Sequence, residues 1–230
     1  MKPPSKFPHR SLPQGFTLVE ILVVLALIGM LLFMTVPGLK DVFKGSKLTT
    51  TADQIANDLS LARQLAIKEN VPVEVRFYRF PDANAKNELR YSAYQCYSLR
   101  QDLNTPSDYT TDRIARPVFE KLRFISSGVV LLDSVQWSTI LSDAKVRKGT
   151  EIVRGLVPSE KETQAEFRSF IITAEGETSL ERSGSKQWYL TLVNEQEVQK
   201  AQNLESIKPN NFITLQIDPY TSNTRRYQPN

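Results

Sequence analysis

A single apolar run constrains this chain more than any other feature. From Phe16 to Val36 it reads FTLVEILVVLALIGMLLFMTV, with one acid, Glu20, near its front and Pro37 just beyond its end. At ~1.5 Å per residue, roughly 21 helical residues span the ~30 Å hydrocarbon core of a bilayer. A cleavable secretory signal has a shorter apolar core followed by a small-residue cleavage site. Here Pro37, Gly38 and Lys40 follow instead. The run is therefore expected to stay in the mature protein as a transmembrane helix over residues 16–36.

Glu20 is the anomaly in that run. An ionisable group in a membrane helix costs several kcal/mol and calls for a partner. One reading is that Glu20 sits shallowly and reaches the interface. Another starts from Pro13-Gln14-Gly15, which ends the leader. Gly15 suits a protease that needs close backbone approach. A cut after Gly15 makes Phe16 a cationic N-terminus with Glu20 four residues on, on the same helical face. The two charges then neutralise each other, within one chain or between neighbours.

Gly15-Phe16-Thr17-Leu18-Val19-Glu20 followed by an apolar helix resembles the class III signal of type IV prepilins and type II secretion pseudopilins. The resemblance implies a prepilin peptidase that cuts between Gly15 and Phe16 and methylates the new Phe16 amine. It implies that Glu20 is the assembly acid, pairing with the N-terminus of an adjacent subunit. Pro37 matches the helix-kinking proline common in the family. Residues 1–15 are then the leader peptide.

Composition narrows the rest. The formal charge is +4, but Lys2, Lys6 and Arg10 lie in the leader, so its removal leaves about +1. That argues only weakly for nucleic acid. The one histidine, His9, is also in the leader, which removes histidine triads and histidine-ligated metals from the mature chain. Cys96 is the only cysteine and cannot form an intramolecular disulfide; it reads as a small buried hydrophobe. There is no phosphate-cradling glycine loop and no Gly-x-Ser-x-Gly, so no enzyme activity, metal or cofactor is expected. Lysines flank both ends of the apolar run and leave its orientation nearly balanced. The resemblance supplies the direction: leader in the cytoplasm, C-terminal domain outside it, in the inner membrane and then in a filament.

After Pro37 the helix is expected to continue over 37–70. Leu48, Ala52, Ile55, Leu59, Ala62 and Ala66 form one amphipathic stripe. Pro37-Gly38 reads as a kink or break. The helix should end near Asn70, before Pro72. Residues 71–230 then read as a β-rich domain. Strands are expected at 71–80, 89–99, 129–132, 167–173, 177–180, 188–193, 212–217 and 224–227. In the second of these, Leu89, Tyr91, Ala93, Gln95 and Tyr97 alternate as if on one face. Residues 101–117 read as a polar loop, and 134–165 as a less ordered insertion with a short helix within 135–141. The fold class is α+β: a long N-terminal helix, half membrane and half amphipathic, packed on an antiparallel sheet.

This order resembles the H-type minor pseudopilins and their fimbrial T-type relatives. Val73-Glu-Val-Arg-Phe77, Phe170-Ile-Ile-Thr-Ala-Glu-Gly176 and Phe212-Ile-Thr-Leu-Gln-Ile-Asp-Pro219 carry that match. The last, with Tyr227-Gln-Pro229, also resembles the Verru_Chthon cassette protein D family. The resemblance implies a structural minor subunit of a type II secretion pseudopilus or pilus-like filament. Its partners would be a prepilin peptidase, other pilin or pseudopilin subunits, an inner-membrane assembly platform and the membrane. The alternative is a DNA-capturing minor pilin, with Arg225 and Arg226 as the candidate contacts. Adjacent strand residues point to opposite faces, which weakens that pair. Asp218, Ser222 and Asn223 read as a turn rather than a calcium site.

Overall fold

The computed structural model describes residues 15–82, 88–101, 113–154, 162–184, 186–200 and 207–229; within the first helix, the side chains of 33–44 lie outside the description. The chain divides into two compact units, Met1–Phe43 and Lys44–Asn230. Helix α1 (Leu18–Glu69) contributes to both. Pro37, and the kink expected there, falls among the residues whose side chains are not described.

In the second unit the amphipathic stripe of α1 behaves as its spacing requires. Leu48, Ala52, Ile55, Leu59, Ala62 and Ala66 are all buried in the main core. Leu48, Ile55 and Leu59 fill the core, and the three alanines between and after them let the helix lie close to the strands it covers. The helix stops where Asn70 takes a left-handed conformation (φ 53°), and the Val71 N–H returns to the Ala66 carbonyl at 3.1 Å. Asparagine tolerates that conformation better than most side chains, and it closes the last turn.

Two antiparallel sheets follow. The larger is built from β1 (Val73–Asp82), β2 (Glu88–Gln101), β3 (Arg113–Pro117), β4 (Arg123–Phe124), β6 (Arg147–Arg154) and β7 (Glu162–Ile172). Its order is β3-β2-β1-β7-β6, with β4 also pairing β2. The smaller is β10-β9-β8-β5, from β5 (Val129–Leu131), β8 (Trp188–Asn194), β9 (Phe212–Ile217) and β10 (Thr224–Tyr227). Short helices α2 (Thr139–Ser142) and α3 (Glu195–Lys200) complete the described elements. Inner faces of both sheets meet the α1 stripe in one core: Val75 and Phe77 of β1, Phe170 of β7, Trp188 and Leu190 of β8, Leu215 of β9. Tyr94 of β2 ties the helix to the sheet, its hydroxyl donating to Asp58 Oδ2 at 2.7 Å, while Arg123 lies 3.3 Å from the same oxygen. Burial first, and the Asp58 carboxylate second, push the Tyr94 phenol above its ordinary pKa.

Three sequence expectations change. Tyr78 pairs with Ala93 and Arg79 with Tyr91, so Ser92 is an extra residue, a β-bulge. The alternation of β2 therefore breaks: Tyr91 shares the core face with Tyr94 and Cys96, while Ala93 and Tyr97 pack on the opposite side. Second, the described residues of 134–165, namely 134–154 and 162–165, are built into the fold. Ile140 and Leu141 enter the core, and β6 pairs with β7 over its whole length. Strand β6 was hidden because, as an edge strand, it is polar on both faces. Third, strand assignments shift at two places: the polar segment 101–117 contains β3, paired with β2, its residues 102–112 lying outside the described residues, and 177–180 makes only the single bridge of Thr178 to Ile172 rather than a strand. Cys96 is buried, and burial raises its thiol pKa.

The outer face of the larger sheet carries an ionic network. Glu74, with no exposed surface, accepts from Arg76 Nη2 at 2.6 Å, Arg147 Nη1 at 2.9 Å and Ser169 Oγ at 2.7 Å. Arg76 also meets Glu151 and stacks between the Tyr97 and Phe167 rings, 4.5 and 4.9 Å from their centroids. Tyr78 donates to Glu151.

Candidate processing and assembly site

Residues 15–17 precede the helix, and α1 begins at Leu18. The Thr17 hydroxyl accepts the Glu20 N–H at 3.2 Å, and the Thr17 carbonyl accepts the Ile21 N–H at 3.2 Å. Thr17 is thus the N-cap, and Glu20 is the third helical residue. Thr-x-x-Glu is the capping-box pattern, with the acid also favoured at the positive end of the helix dipole. Sequence reasoning passed over Thr17, although the Thr17-to-Glu20 spacing was the signal for it.

Around the Gly15–Phe16 bond the described structure is open. No atom lies within 4 Å of a Cβ built at Gly15, and Phe16 is 79% exposed. The apolar side chains that follow are just as bare: Leu18, Val19, Leu22, Leu25 and Leu31 are all exposed. Unbroken apolar exposure on this scale marks an interaction or membrane surface. The described side chains of the run stop at Leu32, and among the described residues no helix is long and apolar enough to cross a membrane.

Residues 10–36 match the family model of the prokaryotic N-terminal methylation motif. That motif is typical of type IV pilin-like proteins and marks the chain as a prepilin-processed protein, with a prepilin peptidase and other pilins as the partners it implies. The match spans Gly15, Phe16, Glu20 and the apolar run, and none of residues 37–230. No curated protein and no solved structure matches the chain. Nothing in these comparisons supports the narrower resemblance to the Verru_Chthon cassette protein D family.

The second candidate pair, Arg225 and Arg226, is not brought together. Both lie on β10, facing Gln216 and Leu215 of β9 respectively. Arg226 Nη1 is 2.7 Å from Asp53 Oδ1 of α1. Arg225 points to the other side of the sheet, beside Tyr189, Gln216 and Tyr227. The turn before β10 is built from its own groups. Asp218 Oδ1 accepts the Tyr220 and Thr221 N–H groups at 2.8 and 3.2 Å. The left-handed position falls on Ser222 (φ 50°) rather than on Asn223, and the buried Ser222 hydroxyl donates to the Gly176 carbonyl at 2.7 Å. Among the described residues, no group of three His, Cys, Asp or Glu is placed to hold a metal.

Proposed function

We propose that this protein is a minor pilin or pseudopilin, a structural subunit and a substrate of processing enzymes rather than an enzyme. A prepilin peptidase cuts between Gly15 and Phe16, and Phe16 is N-methylated. The segment 16–36 holds the chain in the inner membrane, with the domain outside the cytoplasm, until it enters a type II secretion pseudopilus or a type IV pilus-like filament. One observation carries this reading: an uncovered apolar stretch of helix begins two residues beyond an open Gly–Phe bond, with the sole acid of residues 16–36, Glu20, in its first turn. Apolar surface of that extent is stable only against lipid or against the same helices of neighbouring subunits. Moving from one to the other leaves the apolar side chains covered, while Glu20 gains a cationic partner in the Phe16 amine of a neighbour. An unpaired carboxylate in lipid is costly, so pairing favours incorporation and sets register.

The test is intact-mass analysis after co-expression with a prepilin peptidase. The expected product starts at Phe16 and carries one methyl group; an N-terminus that stays at Met1 overturns the proposal. Gly15→Val is expected to retain the leader. Glu20→Gln is expected to be cut and inserted normally yet to fail to sediment with filaments. The DNA-capture alternative retains only Arg225 on its face of the sheet, because Arg226 is ion-paired on the other side.

A further inference from the structure

The smaller sheet has one apolar face, in the core, and one outer face that divides into two halves. At one end Trp137, Val198 and Ile207 cover Val193 and Phe212, with the Trp137 and Phe212 rings 5.2 Å apart. Beyond the Thr191–Thr214 pair the face is open. Its cross-strand rows are Thr191–Thr214–Tyr227 and Tyr189–Gln216–Arg225. A depression of about 490 Å³ is lined there by Gln187, Tyr189, Thr214, Gln216, Arg225 and Tyr227. A second, of about 210 Å³, adjoins it and shares Gln187, Gln216 and Arg225.

A solvated face is ordinary in an antiparallel sheet. The composition of this one is not. Among the six residues that line the larger depression, Arg225 is the only charged side chain. The acid of the adjoining depression, Asp218, is engaged by the Tyr220 and Thr221 N–H groups, and no hydrogen bond or ion pair joins Arg225 to any described residue, whereas Arg226 next to it is paired with Asp53. Its remaining neighbours are two phenols, two amides and a hydroxyl. Several are already fixed in place. Tyr189 donates to the Val135 and Gln136 carbonyls at 3.3 and 3.2 Å, and Gln216 Nε2 donates to Gln187 Oε1 at 3.3 Å. Lys186, in the adjoining depression, is held by Asp143 at 2.6 Å and Glu181 at 3.2 Å and adds no free charge.

We propose that this face binds an acidic glycan, a uronate-bearing polysaccharide. A guanidinium presents a planar fork that matches a carboxylate bidentately. Flat aromatic rings offer contact area to a sugar ring, and amides and hydroxyls match its hydroxyl groups. Charge density selects glycan over nucleic acid. A polynucleotide carries a phosphate on every residue and is held by several cations on one surface; this face has one. An apolar peptide is disfavoured because no Leu, Ile, Val or Met lines the larger depression to receive an anchoring side chain.

The test uses the full-length chain in detergent micelles, cleaved or uncleaved, so that its outcome is independent of processing at Gly15. The probes are a galacturonic acid oligomer, its methyl-esterified counterpart and a single-stranded oligonucleotide, titrated calorimetrically at one ionic strength. The acidic oligomer is expected to bind, and its ester about tenfold more weakly or not at all. Arg225→Gln is expected to lose about the same factor, and Tyr227→Ala to weaken binding as well, while Arg226→Gln leaves it unchanged. Tryptophan fluorescence of each variant verifies that the domain is folded. Absence of acidic-oligomer binding, equal affinity for acid and ester, or an unchanged Arg225→Gln overturns the proposal. Tighter binding of the oligonucleotide than of the uronate overturns it in favour of a nucleic-acid face.

Discussion

Glu74→Gln is the most exacting test of how the larger sheet is held together. The substitution keeps the shape of the side chain, removes its charge and turns an amide donor toward donors from Arg76, Arg147 and Ser169. Removing one member of a buried ion pair costs roughly 3–5 kcal/mol, because the other charge is left uncompensated. Arg76 keeps Glu151 and its two aromatic neighbours, so the lower end, about 3 kcal/mol, is expected. Arg147 is different: its side chain is 57% exposed, and an exposed ion pair contributes about 0–1 kcal/mol. Arg147→Ala should therefore be nearly silent. The double variant Glu74→Met/Arg76→Met should lose less than Glu74→Gln alone, since replacing both charges by apolar groups is often close to neutral. The assay is urea unfolding of the detergent-solubilised chain, followed through the buried Trp188. With a slope of about 1–3 kcal/mol per molar, the Glu74→Gln midpoint should fall by about 1–3 M. A midpoint within ~0.3 M of wild type, or equal losses for Glu74→Gln and Arg147→Ala, would refute the assignment of Glu74 as the centre of the network.

Other substitutions probe separate parts of the chain. Thr17→Ala should cost the first turn of α1 about 1 kcal/mol, seen as roughly fivefold faster hydrogen exchange at the Glu20 amide, with Thr17→Ser near wild type. Gly149→Ala places a Cβ 2.5 Å from Phe167 Cζ, so that ring must move; a loss of about 1–3 kcal/mol by urea unfolding is expected. Asp133 has its carboxyl pKa raised, chiefly by burial, against the opposing pull of Arg79 and Arg168. A raised acid favours the protonated folded state, so its contribution is greatest below the ordinary carboxylate range and is lost as pH rises through the raised value. Asp133→Asn should accordingly be more stable than wild type at pH 7, and the gain should vanish at a pH low enough to protonate Asp133 in both states.

Legibility in the sequence followed the physics of each segment. The α1 stripe was readable because six apolar residues at helical spacing all face one core. Strands β8 and β9 were readable because their inner face alternates without interruption, from Trp188 to Leu192 and from Ile213 to Ile217. Strands β3 and β6 were not. Edge strands such as RIARP and RKGTEIVR need no clean apolar face, so alternation carries little signal there. Nor did the sequence reveal that the strands divide into two sheets. That division rests on pairing between distant segments, such as β1 with β7, which no local pattern encodes. At the N-terminal site Gly15, Phe16 and Glu20 stood out because an acid in an apolar run is rare. Thr17 did not, because a lone hydroxyl there has many ordinary uses. At the other end, alternation alone indicated that Arg225 and Arg226 diverge, but only the fold supplies Asp53 as the partner of one and leaves the other open.

The extra residue at Ser92 acts as a phase shift in the sheet. On either side of it the strand keeps strict alternation, but the two stretches are half a period out of step. Tyr91 and Tyr94, three apart, therefore both turn inward, and the main core gains two aromatic rings where an unbroken strand supplies one. Deleting Ser92 would leave Tyr91 opposite Arg79 and Ala93 opposite Tyr78, and would turn no side chain over. Drawing Ser92 into the ladder would, because Tyr91 would then face outward and Arg90 inward. The bulge thus decides in one position which residues of that strand end are core and which are surface, and its looped-out residue is what keeps both stretches of β2 in phase with β1.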